Sequence, residues 1–142
     1  MTGLWVLAVT LVAAVAVGVL LKARNGRVRK AKPVARELPG PVAAALDPAS
    51  AVTLVQISTT FCAPCRHAKA VLGPLAERTE GLHHVELDVT NQPEVAQSLS
   101  VLRTPTTIAL TPDGRELLRV GGVPKGPELL AALQPHLTTR TS

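Results

Sequence analysis

The sequence has few cysteines, and no acidic residue occurs before Glu37. Its two cysteines, Cys62 and Cys65, allow at most one internal bridge, which excludes a disulfide-stapled scaffold. The length of 142 residues excludes two large domains. Residues 1–21 carry no charged side chain, residues 22–36 carry seven basic ones, and the remainder has a net charge of −2. Because the basic excess lies in one short segment, we expect no nucleic-acid partner for the folded part.

Residues 1–21 contain an uncharged run that, as an α-helix, would span about 30 Å, close to the hydrocarbon thickness of a bilayer. Trp5 near one end and Lys22 and Arg24 beyond the other suit the two membrane interfaces. A cleaved secretory signal is the main alternative, but the run lacks a basic start, and its Ala-x-Ala at residues 14–16 lies within the apolar stretch. A domain of this size can hardly bury such a helix on every side. We therefore predict an uncleaved transmembrane anchor.

Seven basic side chains follow the apolar run, and only the terminal amine precedes it. The positive-inside rule predicts a single-pass protein of the cell membrane with its carboxyl-terminal part in the cytoplasm, an extracytoplasmic domain being the alternative. The lipid bilayer is therefore an expected partner, and the basic side chains can also contact anionic headgroups. Residues 22–48 are predicted to form a basic, proline-containing juxtamembrane linker with a short helix at 42–46, and residues 49–142 the folded domain. The seven basic residues are Lys22, Arg24, Arg27, Arg29, Lys30, Lys32 and Arg36.

The elements predicted after the linker alternate between strand and helix. The run VTLVQIS from Val52 is typical of a strand buried on both faces of a sheet. Pro112-Asp113-Gly114 is a hairpin signal between two strand-like runs. Strands are predicted at 52–58, 82–89, 106–111 and 115–120, and helices at 62–79 (broken or bent at Gly73-Pro74), 93–101 and about 124–137. This order predicts an α/β domain with a mixed sheet, parallel in its first half and antiparallel in its last hairpin, with helices on both faces.

The cysteines lie where the buried strand gives way to the helix, in the segment Cys62-Ala63-Pro64-Cys65. Their spacing puts the two thiols one turn apart on one face, within reach of a disulfide. At the helix start, amide groups and the helix dipole lower the pKa of a thiol, so we expect Cys62 to be the attacking thiolate. Cys65 lies a turn inside the helix and is expected to resolve the mixed disulfide.

These motifs resemble the thioredoxin superfamily: Phe61-Cys62-Ala63-Pro64-Cys65 follows a buried strand, and Arg103-Thr104-Pro105-Thr106 precedes the hairpin. The resemblance covers residues 50 to 137. It implies a thioredoxin-like fold with a central mixed β-sheet flanked by helices, here preceded by one amino-terminal transmembrane helix. It also implies that Pro105 is a cis-proline facing the cysteines. The residues expected to bind an extended substrate segment are Phe61, Ala63, Pro64, Thr104 and Pro105.

The sequence departs from the family pattern at two places. Phe61 stands where the family often has tryptophan, and we expect its apolar ring to shield the cysteine pair. Gln56 stands where ordinary thioredoxins have a buried aspartate that helps to deprotonate the second cysteine. An amide cannot act as a base, so Cys65 must use water, or Glu86 or Asp88 if the fold brings one of them near. The alternative is that Gln56 has a purely structural role as a hydrogen-bonded polar group within the sheet.

Metal and haem sites fit the sequence poorly. Zinc needs four ligands, and the histidines, which are His67, His83, His84 and His136, lack the spacing of a finger or knuckle. Covalent haem attachment needs histidine directly after the second cysteine, where the chain has Arg66. We therefore expect no bound metal and no cofactor beyond a redox-active disulfide between Cys62 and Cys65.

The pattern as a whole predicts a membrane-tethered thiol–disulfide oxidoreductase, monomeric and acting as a protein-disulfide reductase. Its expected partners are protein disulfides or dithiols and an external electron donor, such as a thioredoxin reductase or a membrane thiol transporter. The cytoplasm is kept reducing, and this favours reduction over oxidation or isomerisation. The alternatives are a redox-silent, membrane-tethered binding module of the same fold and, less favoured, a metal-binding protein.

Overall fold

The computed structural model describes residues 1–30 and 37–138, so the predicted basic positions Lys32 and Arg36 lie outside the described residues. The helices are α1 (Thr2–Arg24), α2 (Gly40–Ala45), α3 (Ala63–Arg78), α4 (Pro93–Ser98) and α5 (Gly126–Thr138). The strands are β1 (Val28–Lys30), β2 (Val52–Ser58), β3 (Leu82–Asp88), β4 (Thr106–Leu110) and β5 (Glu116–Gly121).

The strands form one mixed sheet in the order β1-β5-β4-β2-β3. Strands β2 and β3 are parallel, whereas β4 is antiparallel to both β2 and β5, and β1 is antiparallel to β5. The predicted α/β fold with a mixed central sheet is therefore confirmed, including the parallel first half and the antiparallel hairpin. The hairpin turns at Gly114, whose φ of +88° is one that a residue without a side chain adopts most readily.

Strand β2 contributes side chains to two hydrophobic clusters, one on each face of the sheet. Val52 and Leu54 pack with residues of α3 and α5, whereas Val55 and Ile57 pack with residues of α2 and α4. Every residue of β2 is buried, which explains why the strand reads as a nearly continuous apolar run. Strand β2 is held by both clusters and by a strand on each side. The loop that positions Cys62 therefore starts from a well-packed strand.

Helix α1 is exposed along all 23 of its residues and has a mean hydropathy of 2.7 over an 18-residue window. It is therefore not a core helix of the domain. A helix of this length and composition near the N-terminus can cross a membrane or serve as a signal sequence.

Part of the predicted linker belongs to the sheet. Val28 pairs with Val120 and Lys30 with Leu118, so residues 28–30 form edge strand β1 beside β5. The N–H of Gly26 also donates to a carbonyl of β5, that of Gly121, at 2.8 Å. A strand of three residues is too short to give a periodic signal, and its partner is distant in sequence, so local patterns do not reveal it. The end of α1 is therefore joined to the sheet by backbone hydrogen bonds.

Three helices differ in detail from the prediction. Helix α2 begins earlier than expected, at Gly40. Helix α3 continues past Gly73-Pro74, because the burial of Leu72 and Leu75 on either side of Pro74 offsets the helical hydrogen bond that the proline removes. Helix α4 ends earlier than expected, because Ser100 adopts a φ of 55° and ends the helix.

Candidate redox site

Cys62 is the N-cap of α3, and Cys65 lies one turn into the helix. The backbone N–H of Cys65 donates to the sulfur of Cys62 at 3.2 Å. The two cysteines form a disulfide, with their Cα atoms 5.2 Å apart. Ala63 and Pro64 occupy the first positions of the helix, where the missing N–H of proline costs no helical hydrogen bond. Ala63 and Pro64, which lie between the two cysteines, are exposed, so the pair lies close to the surface of the domain.

The two sulfurs have different surroundings. Cys62 is 9% exposed and Cys65 is 3% exposed. The positive end of the α3 dipole and the first amide groups of the helix face Cys62, whereas Cys65 lies deeper against the sheet. This arrangement favours an anion at Cys62 over one at Cys65.

The loop before β4 approaches the same sulfur. The hydroxyl of Thr104 donates to the sulfur of Cys62 at 3.8 Å, and the Thr104–Pro105 peptide bond is cis. The carbonyl of Pro105 accepts a hydrogen bond at 2.8 Å from the N–H of Gly122, the residue that follows β5. Pro105 is buried and Thr104 is half-buried, so the fold brings Thr104 to Cys62 and places the cis-proline directly after it.

Two exposed apolar side chains belong to the loops that carry the site. Among the described residues beyond α1, Phe61 at 96% and Leu102 at 98% are the large hydrophobic side chains that stand exposed. Phe61 was expected to shield the cysteines; its exposure shows that it covers little of them, because its loop position directs it into solvent. The sequence analysis missed Leu102, and the available signal was an apolar residue in the loop directly before Arg103-Thr104-Pro105.

A buried amide lies behind Cys65. Gln56 is fully buried, and its Nε2 donates to the carbonyl of Cys65 at 2.8 Å and lies 3.4 Å from Oε2 of Glu86. Its Oε1 lies 3.0 Å from Nε2 of His84. Since Oε1 can only accept, Nε2 of His84 carries the proton of this hydrogen bond. Gln56 is therefore a hydrogen-bonded polar group within the sheet, and it also links the backbone of Cys65 to β3.

The two carboxylates considered as bases, Glu86 and Asp88, lie on the same strand but have different partners. Glu86 pairs directly opposite Gln56 on β3 and lies 3.8 Å from the ammonium of Lys69 on α3. Asp88 instead accepts hydrogen bonds from Thr90 and Thr60 in the loops beyond the strands, and those from Thr90, above all, lower the pKa of Asp88. Glu86 is therefore the carboxylate connected to the backbone of Cys65.

The histidines do not assemble a metal site within the described ranges, where no cluster of three or more potential ligand side chains occurs. His84 serves the Gln56 network instead. Burial lowers the pKa of His84 below its ordinary value, and electrostatic interactions with Lys69 and His83 lower it further. The lowered pKa favours the neutral form of His84. This form keeps the one ring proton that its hydrogen bond to Gln56 requires.

The site combines a helix-capping sulfur, a deeper partner sulfur within bonding distance and an open surface. Such a pair can exchange two electrons with an external disulfide or dithiol by forming and breaking sulfur–sulfur bonds.

Comparisons with known proteins support the same chemistry. The family model for thioredoxin matches residues 43–135, more than half of the chain, and α1 and β1 precede the matched region. Thioredoxin from Staphylococcus aureus is 35% identical over 89 residues, which cover 62% of this chain and 85% of that protein. Thioredoxin NaTrxh from Nicotiana alata, a solved structure, is 29% identical, with a TM-score of 0.54 over 61% of this chain and 73% of that chain.

Two further relatives are longer than the matched region. Thioredoxin H2 from Arabidopsis thaliana is 32% identical over 72 residues, 51% of this chain and 53% of that protein. Thioredoxin-2 from Pyricularia oryzae is 33% identical over 84 residues, 58% of this chain and 48% of that protein. The chain thus spans about half the length of these two relatives.

Proposed function

Because this chain belongs to the thioredoxin family, we propose that it is a membrane-tethered thiol–disulfide oxidoreductase that reduces protein disulfides. The family match and the close cysteine pair support oxidoreductase activity. The observation that carries the proposal is the position of Cys62 at the N-cap of α3, where the N–H of Cys65 and the hydroxyl of Thr104 both point at its sulfur.

In the first step, the thiolate of Cys62 attacks one sulfur of a substrate disulfide. A mixed disulfide forms, and the other substrate sulfur leaves as a thiolate. The helix terminus and the two donors stabilise the negative charge on Cys62 before the attack.

In the second step, Cys65 loses its proton and attacks the sulfur of Cys62. The Cys62–Cys65 disulfide forms, the second substrate sulfur leaves as a thiolate, and two electrons have passed to the substrate. In place of the family's buried aspartate, we propose Glu86 as the acceptor of this proton, which reaches it through water because Gln56 contacts the backbone carbonyl of Cys65 and not its sulfur. An external dithiol donor, such as a thioredoxin reductase or a membrane thiol transporter, then returns the pair to the dithiol form, and no bound cofactor is required.

An extended substrate segment would lie along the loop of Thr104 and Pro105 and over the first turn of α3, where Ala63 and Pro64 are exposed. Phe61 and Leu102 present exposed apolar surface to the same segment. Burial of such side chains on binding supplies affinity that depends little on the exact substrate sequence.

The tether and the orientation are proposed from α1 and the basic residues that follow it. In the described part of this cluster, Lys22, Arg24, Arg27, Arg29 and Lys30 all lie after the apolar run. This bias supports a cytoplasmic domain. A reducing compartment in turn supports reductase activity, for which a potential near that of thioredoxin, about −270 mV, is expected.

The decisive experiment is to trap substrates as mixed disulfides. In Cys65→Ser the resolving thiol is missing, so substrates should accumulate as mixed disulfides with Cys62 that disappear on treatment with a reductant. Cys62→Ser/Cys65→Ser is the matched control and should trap nothing. If Cys65→Ser traps nothing either, while unmodified partners still co-purify with both variants, the redox-silent binding module is the better description.

Topology and direction have separate tests. A membrane-impermeant maleimide should modify reduced Cys62 only after the cells are permeabilised; modification in intact cells would place the domain outside the cytoplasm. Equilibration with glutathione gives the potential of the pair. A value near the −120 mV of strong oxidants, rather than about −270 mV, would contradict the reductase assignment.

A further inference from the structure

A cavity of about 370 Å³ lies where the end of α1 meets the sheet domain. Its walls come from the last turn of α1, from the segment leading into β1, from the loop before Pro105 and from β5. Five arginines line it, and none of its lining residues is acidic; the arginines are Arg24, Arg27, Arg29, Arg103 and Arg119.

Four of these cations have no carboxylate partner among the residues the structure describes. Arg119 is committed, because its guanidinium lies 2.8 Å from a carboxylate oxygen of Glu116 and donates to the carbonyl of Leu99 at 2.7 Å. No ion pair within residues 1–30 and 37–138 involves the other four, which are exposed. Unpaired cations that share one cavity repel each other, so an anion bound there would lower the electrostatic energy of the site.

The cavity is held together by the sheet. One wall includes Leu21, which ends the apolar run, and another includes Leu102 and Arg103. Backbone hydrogen bonds from Gly26 to Gly121, and the pairing of β1 with β5, fix these walls relative to each other. If α1 spans a bilayer, this cavity opens at the depth of the lipid headgroups.

We propose that this cavity binds the phosphodiester group of an anionic phospholipid from the leaflet at which α1 ends. The proposal rests on the membrane tether of the proposed function. Guanidinium groups suit phosphate oxygens because they donate paired hydrogen bonds. Arg103 immediately precedes Thr104, which contacts Cys62, so lipid bound here holds the substrate loop and the redox pair against the membrane surface. The substrates favoured by this geometry are disulfides of membrane proteins close to the headgroup region.

The test uses the full chain in a neutral detergent and measures binding of short-chain phosphatidylglycerol by calorimetric titration. Phosphatidylcholine with the same acyl chains and inorganic phosphate are the comparison probes. The unmodified protein should bind phosphatidylglycerol at least tenfold more tightly than either. Arg27→Gln/Arg103→Gln should weaken that binding at least tenfold, whereas Arg115→Gln, at the distant hairpin turn, should leave it unchanged. Circular dichroism verifies that the variants are folded.

Three results would overturn the proposal. Equal affinity for the two lipids, or unchanged affinity in Arg27→Gln/Arg103→Gln, would show that the arginines do not select an anionic headgroup. Inorganic phosphate binding as tightly as phosphatidylglycerol would assign the cavity to free phosphate instead.

The same preparations separate this proposal from the proposed function. Reduction of a soluble disulfide substrate tests the redox pair, and resistance to alkaline carbonate extraction tests the tether. Loss of lipid selectivity with both of these intact contradicts the lipid site alone. Extraction by carbonate contradicts the tether and the lipid site together.

Discussion

The side-chain amide of Gln56 donates a hydrogen bond to the backbone carbonyl of Cys65, with 2.8 Å between the two atoms. A fully buried strand residue thereby holds the first turn of the helix that carries the redox pair. In Gln56→Leu this carbonyl loses its side-chain donor, and the ring of His84 loses its acceptor. We expect the free energy of unfolding to fall by about 1–3 kcal/mol.

The measurement is denaturant unfolding of the full chain in detergent, followed by circular dichroism because the single tryptophan, Trp5, lies in α1. Gln97→Leu replaces an exposed glutamine and is the control, with an expected effect within about 0.5 kcal/mol. If Gln56→Leu behaves like this control, the hydrogen bond does not support α3.

Glu86 is the second member of this network whose role can be tested. In Glu86→Gln the proposed proton acceptor for Cys65 is lost while the shape is kept. We expect resolution of the mixed disulfide to slow by about tenfold, less than the ~10²–10⁴-fold typical of a positioned base because the side chain is partly exposed. Rapid-quench analysis of the mixed disulfide gives this rate.

Asp88→Asn is the matched control for Glu86→Gln. It removes a carboxylate from the same strand, but one that is hydrogen-bonded to Thr90 and Thr60 rather than to Gln56. An equal slowing in both variants would point to general electrostatics rather than to Glu86.

Thr104 contributes a donor to the attacking sulfur. In Thr104→Val the hydroxyl that lies 3.8 Å from the sulfur of Cys62 is removed, so the thiolate loses one hydrogen bond. Alkylation of reduced Cys62 by iodoacetamide at neutral pH should become slower by about two- to threefold, because a long bond to sulfur is weak. Thr104→Ser keeps the hydroxyl and should restore the rate. A slow Thr104→Ser would mean that the methyl group, not the hydroxyl, matters.

Local sequence was sufficient to predict the centre of the site. Cys62 was expected at a strand-to-helix junction because the buried run of β2 and the helix formers after Cys65 are adjacent in the chain. The hairpin was equally predictable, because Pro112-Asp113-Gly114 is a local turn signal. These elements depend on periodicity and turn chemistry, which a single sequence displays directly.

Register and long-range packing were not predictable in the same way. The contact of Gln56 with His84 and Glu86 depends on the parallel register of β2 and β3, in which Gln56 lies opposite Glu86. Strand β1 depends on the free edge of β5, which lies some ninety residues away in the chain. The exposure of a loop side chain such as Phe61 depends on the local backbone geometry, and amino-acid composition does not predict that geometry.

His84 makes the stability of the domain dependent on pH. Burial, then Lys69 and His83, lower the pKa of His84 in the folded protein, whereas in the unfolded chain it titrates near 6.5. As the pH falls below this value the unfolded state takes up the proton first, so the free energy of unfolding decreases; above it His84 contributes no pH dependence. Unfolding measured between about pH 7 and pH 5 should show a smaller decrease in His84→Gln than in the unmodified protein.

The matched control is His136→Gln, which removes an exposed histidine from α5. His84→Gln also retains an amide that can donate to Gln56, so a large loss of stability at neutral pH is not expected. The same decrease towards acid in His84→Gln as in the unmodified protein would show that other groups cause it.

Thr107 offers a stability change of the opposite sign. It is fully buried on β4, directly opposite Gln56, and its hydroxyl has no hydrogen-bond partner among the described residues. Thr107→Val keeps the shape and removes a buried unpaired hydroxyl, so the free energy of unfolding should rise by about 1 kcal/mol. The matched control is Thr53→Val, because Thr53 is equally buried but its hydroxyl accepts from the N–H of Asp47 at 3.2 Å. Thr53→Val should therefore lower the free energy of unfolding by about 1 kcal/mol, and a loss of that size in Thr107→Val as well would show that its hydroxyl is bonded in solution.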